Sequence, residues 1–206
     1  VPTGTTPPPT LLSSRAAQKA DRRARLRREA ARLVAERGYH GVRLDDIGAA
    51  AGISGPAIYR YFPSKEALLT DLLSDISGRL LAGGRRVVDA AAVPRQATAA
   101  LVDFHLDFSL SEPELIRIQD RDLHNLPDEA RHYVRQTQRR YAELWVTTLC
   151  AVRPRLEEAD ARIRVHACFG LLNSTPHSAG SDPGRSRTVL REMALDGLLG
   201  AAGARS

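Results

Sequence analysis

Between Val42 and Leu69 the chain reads VRLDDIGAAAGISGPAIYRYFPSKEALL. Two short helices meet there at Gly52, because the tight turn between them needs a positive φ that glycine adopts most easily. Asp45 and Asp46 stand in the first turn of the first helix, where carboxylates complement the unpaired N–H groups. Ser54 can cap the second helix, Pro56 suits its first turn, and Pro63 closes it at Phe62. Ile47, Ala51, Ile53 and Ile58 are spaced to face inward and fix the angle between the two helices. The opposite face is left for a partner. Ser54, Gly55, Pro56 and Ala57 are small enough to bring the start of the second helix close into a DNA major groove. Tyr59, Arg60 and Tyr61 would then reach bases or phosphates, with Lys65 meeting the DNA backbone at the next helix start. A helical hairpin inside a larger bundle would show the same spacing without touching DNA.

Charge distribution bears on that choice. The chain has 206 residues and a net charge of +6. Residues 1–70 hold twelve Lys/Arg against six Asp/Glu, whereas residues 71–206 hold eighteen of each. All the excess positive charge lies in the first third, the pattern of an N-terminal segment facing phosphate with a neutral remainder. A solvated basic face would give the same tally. Arginine dominates, Lys19 and Lys65 being the only lysines, a bias that a GC-rich coding sequence also produces.

The rest of the chain reads as all-α. Hydrophobic residues make up 43% and charged residues 26%, enough apolar material for a soluble core. Residues 1–17 are Pro/Thr-rich at their start, lack a signal-peptide pattern and read as a disordered arm. A helix from about Gln18 ends at Gly38, with Leu26, Ala30, Leu33 and Val34 on one face. Ser64 caps a longer helix with Leu68, Leu69, Leu72, Leu73, Ile76 and Leu80 in one stripe, and Gly83-Gly84 reads as a break. Further helices are expected from Pro94 to Leu110, over 112–124, from Asp128 to Val152, from Leu156 to Leu172 and from Ser186 to Leu199. The segment Asn173–Gly184 between the last two reads as a long loop. No run of about 18 apolar residues offers a membrane span. Cys150 and Cys168 read as reduced, buried thiols, so a cytoplasmic protein is expected.

The run from Gly52 to Leu68 resembles the recognition region of TetR-family repressors. Its stretch Tyr59-Arg-Tyr-Phe-Pro-Ser-Lys-Glu66 is the most specific part, and Ala30–Tyr39 resembles the family's first helix. The resemblance implies a three-helix DNA-binding domain with a helix-turn-helix, here residues 18–63. A larger helical ligand-binding and dimerisation domain would follow, residues 64–206, pairing through its last two helices as a homodimer. The function implied is a ligand-responsive repressor released from operator double-stranded DNA by a small apolar effector. Two positions depart from the pattern. Arg43-Leu44 stands where the family usually has a capping Thr, so Arg43 is expected to take over the phosphate contact. Gly48 replaces a usual Ala at a helix-propensity cost of up to about 1 kcal/mol.

An enzyme is the rival class. The chain lacks a nucleophile elbow, a Walker loop, a dinucleotide fingerprint and a His-Glu-any-any-His motif, and its six histidines show no metal-ligand spacing. No catalytic residue, cofactor or metal is expected. An architectural DNA-binding protein is the other alternative, but it would not need a neutral helical domain. In that domain Phe104, Phe108, Tyr141, Trp145 and Phe169 could line an effector cavity, oriented by His105, Gln119, Arg121 and Asn173. The run Phe169–His177 resembles repressors of acyl-CoA and fatty-acid catabolism, with Arg117, Arg121, Arg131 and Arg135 as candidates for the phosphates of an acyl-CoA. A hydrophobic drug is the competing effector. Homodimer formation would use Ile163, Ala167, Gly170, Leu171, Leu190, Met193 and Leu198.

Overall fold

The computed structural model describes residues 9–178 and 182–200, which contain helices and no strand. In order these are α1 (Pro9–Arg37), α2 (Leu44–Ala50), α3 (Gly55–Ile58), α4 (Lys65–Asp89), α5 (Pro94–Ser111), α6 (Pro113–Asp122), α7 (Asp128–Val152), α8 (Glu158–Leu172), α9 (Thr175–Ser178) and α10 (Pro183–Leu199). A 3-10 turn, Leu123–Asn125, follows α6. The chain divides into two compact units between Leu72 and Leu73, inside α4.

In the first unit α1 begins at Pro9, nine residues before the expected Gln18. Nothing between Thr10 and Arg37 is Gly or Pro, and proline is accepted at a first helical position where no N–H is needed. Residues 9–17 are therefore helical rather than part of an arm, and residues 1–8 of that arm lie outside the described residues. Leu26, Ala30, Leu33 and Val34 are buried as their spacing requires, and so are Val42, Ile47, Ile58, Phe62, Leu68, Leu69 and Leu72. Gly38 and Gly52 take φ values of +78° and +67° at the two turns. Helix α3 stops at Ile58, earlier than Pro63 suggests. Residues 59–62 continue as hydrogen-bonded turns, with Tyr61 N–H donating to Ile58 O at 2.8 Å and Phe62 N–H to the same oxygen at 3.0 Å.

The second unit is a helical bundle around α5, α7, α8 and α10. Its informative feature is where α4 meets it. Gly83-Gly84 is not a break: both residues lie within continuous helix. A Cβ on Gly83 would collide with the Phe104 ring of α5, and one on Gly84 would lie 2.6 Å from Cε2 of Tyr141 on α7. The glycines are seats for two aromatic rings, which outweigh the helix-propensity cost of about 1 kcal/mol each. The long loop expected after Asn173 is shortened from both sides. Helix α9 occupies Thr175–Ser178, and α10 starts at Pro183 with Asp182 Oδ1 accepting the Arg185 N–H at 2.9 Å. On α8 and α10, Ile163 and Met193 are exposed as expected, while Leu190 and Leu198 face the core and Val189 is exposed.

These seats give a paired expectation for thermal or urea unfolding. Gly83→Ala should destabilise by about 1–3 kcal/mol through overpacking on Phe104. Gly78→Ala on the same helix, where a Cβ meets nothing within 4 Å, should be neutral or stabilise by up to about 1 kcal/mol. Equal effects from the two changes would count against the packing account.

Candidate functional site

The first candidate site is the surface of α2, the Gly52 turn and α3. Arg43 occupies the position before α2 in extended backbone conformation, exposed. Arginine has no acceptor and cannot cap a helix. Asp46 does half of that work instead, its Oδ2 accepting the Arg43 N–H at 2.9 Å. Ser54 stands at the N-cap of α3 but its hydroxyl makes no cap bond. Ser54, Pro56, Tyr59 and Arg60 are exposed, whereas Gly55, Ala57 and Tyr61 are half-buried. Gly55 lies beside Asp45, so the start of α3 adjoins the first turn of α2. The exposed members form a polar, cationic surface over an apolar floor of Ile47, Ile58 and Phe62.

Lys65 does not join that surface as expected. Its Nζ donates to Tyr39 O at 2.9 Å and to Val42 O at 3.0 Å, and lies 4.3 Å from the Tyr39 ring centroid. The turn after Gly38 leaves those carbonyls outside any helix, and an ammonium over an aromatic face satisfies them. The basic residues of α1 are also partly internal. Arg23 and Arg27 both hydrogen-bond Asp71 on α4, Arg27 Nε at 2.6 Å, and Arg23 sits 5.0 Å above the Phe62 ring. Partial burial pushes the Asp71 carboxyl up, but the hydrogen bonds from Arg27 and Arg23 outweigh it and hold it below its usual range.

The second candidate site is a cavity of about 500 Å³ in the second unit. His105, Gln119, Tyr141, Phe169 and Asn173 line it. The His105 ring nitrogens contact the Tyr141 hydroxyl at 3.2 Å and Asn173 Oδ1 at 2.9 Å. With the carboxamide oxygen toward Nε2, that nitrogen donates, and the Tyr141 O–H donates to Nδ1. Burial pushes His105 down to about 4, against a smaller opposing effect of the Asn173 bond, so the ring is neutral near pH 7. Burial likewise pushes Tyr141 upward and keeps its proton. The rings of His105, Tyr141 and Phe169 stack nearly parallel, 5.2–5.9 Å apart.

The other expected lining residues go elsewhere. Trp145 is buried behind this stack, edge-on to all three rings. Phe104 and Phe108 line a separate hollow of about 340 Å³ with Arg79 and Arg86. Arg121 pairs with the buried Asp122 at 2.9 Å. Of the arginines considered for phosphate, Arg117 donates to Pro176 O and Arg131 pairs with Asp128, leaving only Arg135 at the cavity. Gln138, Arg139, Arg162 and Glu143 are lining residues that the sequence reading did not name. Two of them carried a signal: Arg135, Gln138 and Arg139 stand at i, i+3, i+4 on α7, a polar run on one helix face.

Residues 26–72 match the model of the bacterial regulatory proteins of the tetR family, and residues 92–177 that of a tetracyclin repressor-like C-terminal domain. The chain is 31% identical over 203 residues to the HTH-type transcriptional repressor KstR2 of Rhodococcus jostii, covering 94% of this chain and 97% of that one. The chain belongs to the TetR family. Among solved structures, a TetR-family transcriptional regulator from Bordetella parapertussis superposes with a TM-score of 0.78 at 26% identity, covering 88% of this chain and 95% of that one. The regulator FadR from Bacillus subtilis, in complex with stearoyl-CoA, has a TM-score of 0.67 at 20% identity over 86% of this chain and 98% of its own. The helix-turn-helix of this TetR-family regulator is thus α2 and α3. No helix among its described residues is long and apolar enough to cross a membrane.

The Arg23–Asp71–Arg27 cluster makes acid stability of this regulator testable. Because the folded carboxyl titrates below its unfolded value of about 3.9, its contribution is present above that pH and is lost as pH falls through the folded value. Asp71→Asn should cost about 1 kcal/mol near pH 7, part-exposed pairs being worth little more. Urea unfolding should show the gap between wild type and variant closing below about pH 4. A gap that widens in acid would refute the pairing.

Proposed function

We propose that this TetR-family regulator is a homodimeric repressor, released from operator double-stranded DNA when a small organic effector occupies the cavity of its second unit. Arg43, Ser54, Gly55, Pro56, Ala57, Tyr59, Arg60 and Tyr61 form the DNA surface. Lys65 acts from behind it by holding the turn between α1 and α2. The observation that carries the reading is the course of α4. Its first turns place Leu68, Leu69 and Leu72 in the helix-turn-helix core, and further along the same helix Ser77 and Leu80 line the cavity and Gly84 seats Tyr141. One helix therefore carries residues of both sites. The B. subtilis neighbour bound to stearoyl-CoA supports an acyl thioester over a hydrophobic drug. Pairing through α8 and α10 is supported by Ile163, Val189 and Met193, which are 67%, 46% and 53% exposed. A single recognition helix reads too few base pairs to be selective, so two are needed.

The switch is tested by reciprocity. A coupling of about 1–3 kcal/mol implies roughly 5–150-fold weaker operator binding with effector bound. Operator selected from genomic fragments must weaken effector binding by that same factor, and an effector affinity unchanged by operator would sink the switch. Pairing is tested separately. Ile163→Glu/Met193→Glu should sediment as a folded monomer at micromolar concentration and bind operator at least tenfold more weakly, each tenfold being about 1.4 kcal/mol. A stable dimer of that variant would move the interface elsewhere.

A further inference from the structure

The net charge of +6 sits on one stretch of one helix. Residues 15–28, all within α1, hold seven Lys/Arg and one Asp, whereas residues 29–70 hold five Lys/Arg and five Asp/Glu. The helix-turn-helix itself therefore lies in an electrically neutral segment. Of the seven cations, Arg23 and Arg27 are engaged with Asp71, and Arg25 lies 3.5 Å from Asp21. Lys19, Arg22 and Arg28 are exposed, with no hydrogen bond or ion pair among the described residues.

Register separates those three. Lys19 and Arg22 stand seven and four residues before Leu26, on the stripe along which Leu26, Ala30 and Leu33 are buried. Arg15 precedes Lys19 by four residues in the same register. Arg28 is nine residues from Lys19, two and a half turns, and so on the opposite face. The inward stripe of α1 thus changes from apolar to cationic where the core ends. Every residue from Ala16 to Arg22 is exposed, so these turns run clear of the packed first unit. Arg15 stands about 16 Å along the axis from Leu26. The base of this overhang adjoins the reading surface, because Arg23 lies 5.0 Å above the ring of Phe62, in the turn that also holds Tyr59 and Tyr61.

We infer that Arg15, Lys19 and Arg22 are a second DNA contact, one that grips backbone phosphates of the duplex without reading its bases. This rests on the first unit being a DNA binder, and it divides the work there. Arg43, Tyr59 and Arg60 select sequence, and the overhang of α1 supplies hold. Sequence-independent affinity for duplex DNA comes from counterions released as cations meet phosphates, which a neutral segment provides poorly. The three residues precede residues 26–72, the part that matches the tetR-family model, so they stand outside the common reading unit. An anionic membrane would also attract a cationic stripe, but membrane-surface helices carry bulky apolar residues opposite their basic face. Here Ala17, Ala20, Asp21 and Ala24 stand opposite.

Fluorescence anisotropy of the full chain on labelled duplexes, over a salt series, tests the site. Two duplexes of equal length serve, an operator selected from genomic fragments and a shuffled sequence. Arg15→Gln/Lys19→Gln/Arg22→Gln should weaken both by the same factor, on the order of tenfold to hundredfold at physiological salt, and lower the salt slope by about two to three. The ratio between the two affinities should hold. Lys19→Gln alone should lower the slope by about 0.9, and Arg28→Gln by clearly less. Circular dichroism would confirm that each variant remains helical. A triple variant with wild-type affinity and slope on a selected operator would overturn the site and leave the helix-turn-helix reading intact. A loss confined to the operator would overturn it too, since bases would then be the target. Equal slopes for Lys19→Gln and Arg28→Gln would reduce the effect to bulk charge and overturn it likewise. If the wild type selects no operator, yet the triple variant loses its hold on any duplex, the phosphate site stands and the sequence-reading role fails. Binding to phosphatidylglycerol vesicles with none to duplex would replace DNA by a membrane surface and overturn the assignment.

Discussion

Helix α4 lies against the rings of Phe104 and Tyr141 at a distance that only residues without a Cβ permit. Helix–helix packing usually separates axes by 8–10 Å, set by the side chains at the contact. Two adjacent glycines remove those side chains on one helix and let aromatic rings of two others fill the space. Tyr141 is then held on one side by Gly84, and its hydroxyl is within hydrogen-bonding distance of His105. His105 in turn is fixed by Asn173. The polar end of the cavity thus inherits its geometry from the backbone of α4, and any compound that displaces Tyr141 acts on that helix.

In the first unit the fold uses charge as well as apolar surface to set its angles. Asp71, late in the first unit's share of α4, draws in two arginines from α1, and Lys65 at the start of α4 closes on the turn that follows α1. Both anchors act across long sequence separations, tying α1 and the turn after it to α4. Helices α2 and α3, of seven and four residues, are shorter than the lengths at which isolated helices persist in water. Their orientation comes from Ile47, Ile58 and Phe62 beneath them.

What could be read from the sequence was what neighbouring residues decide. The turn at Gly52, the N-cap at Ser64 and the inward stripe of α1 follow from φ limits, a hydroxyl three residues before a free N–H, and a 3.6-residue period. The break assigned to Gly83-Gly84 failed because glycine has two uses. It relaxes the backbone, which acts locally, and it permits close approach, which depends on Phe104 and Tyr141 some twenty and sixty residues away. Lys65 was misplaced for a related reason, since its partners are carbonyls whose exposure exists only once α1 has ended. In the cavity, the aromatic and polar residues His105, Tyr141, Phe169 and Asn173 were legible as a set. The division between Phe104 in one hollow and Tyr141 in another depends on which side of α5 each helix packs.

The inward turn of Lys65, Arg23 and Arg27 also bears on how the protein finds its target in a genome. Grip on arbitrary sequence scales with the number of phosphates whose counterions are displaced. Arg23 and Arg27 share the one carboxylate of Asp71, and Lys65 is held by two carbonyls, so these three are less available to phosphate than free side chains would be. If the first unit reads DNA as proposed, its hold on arbitrary sequence is weaker than the net charge alone suggests.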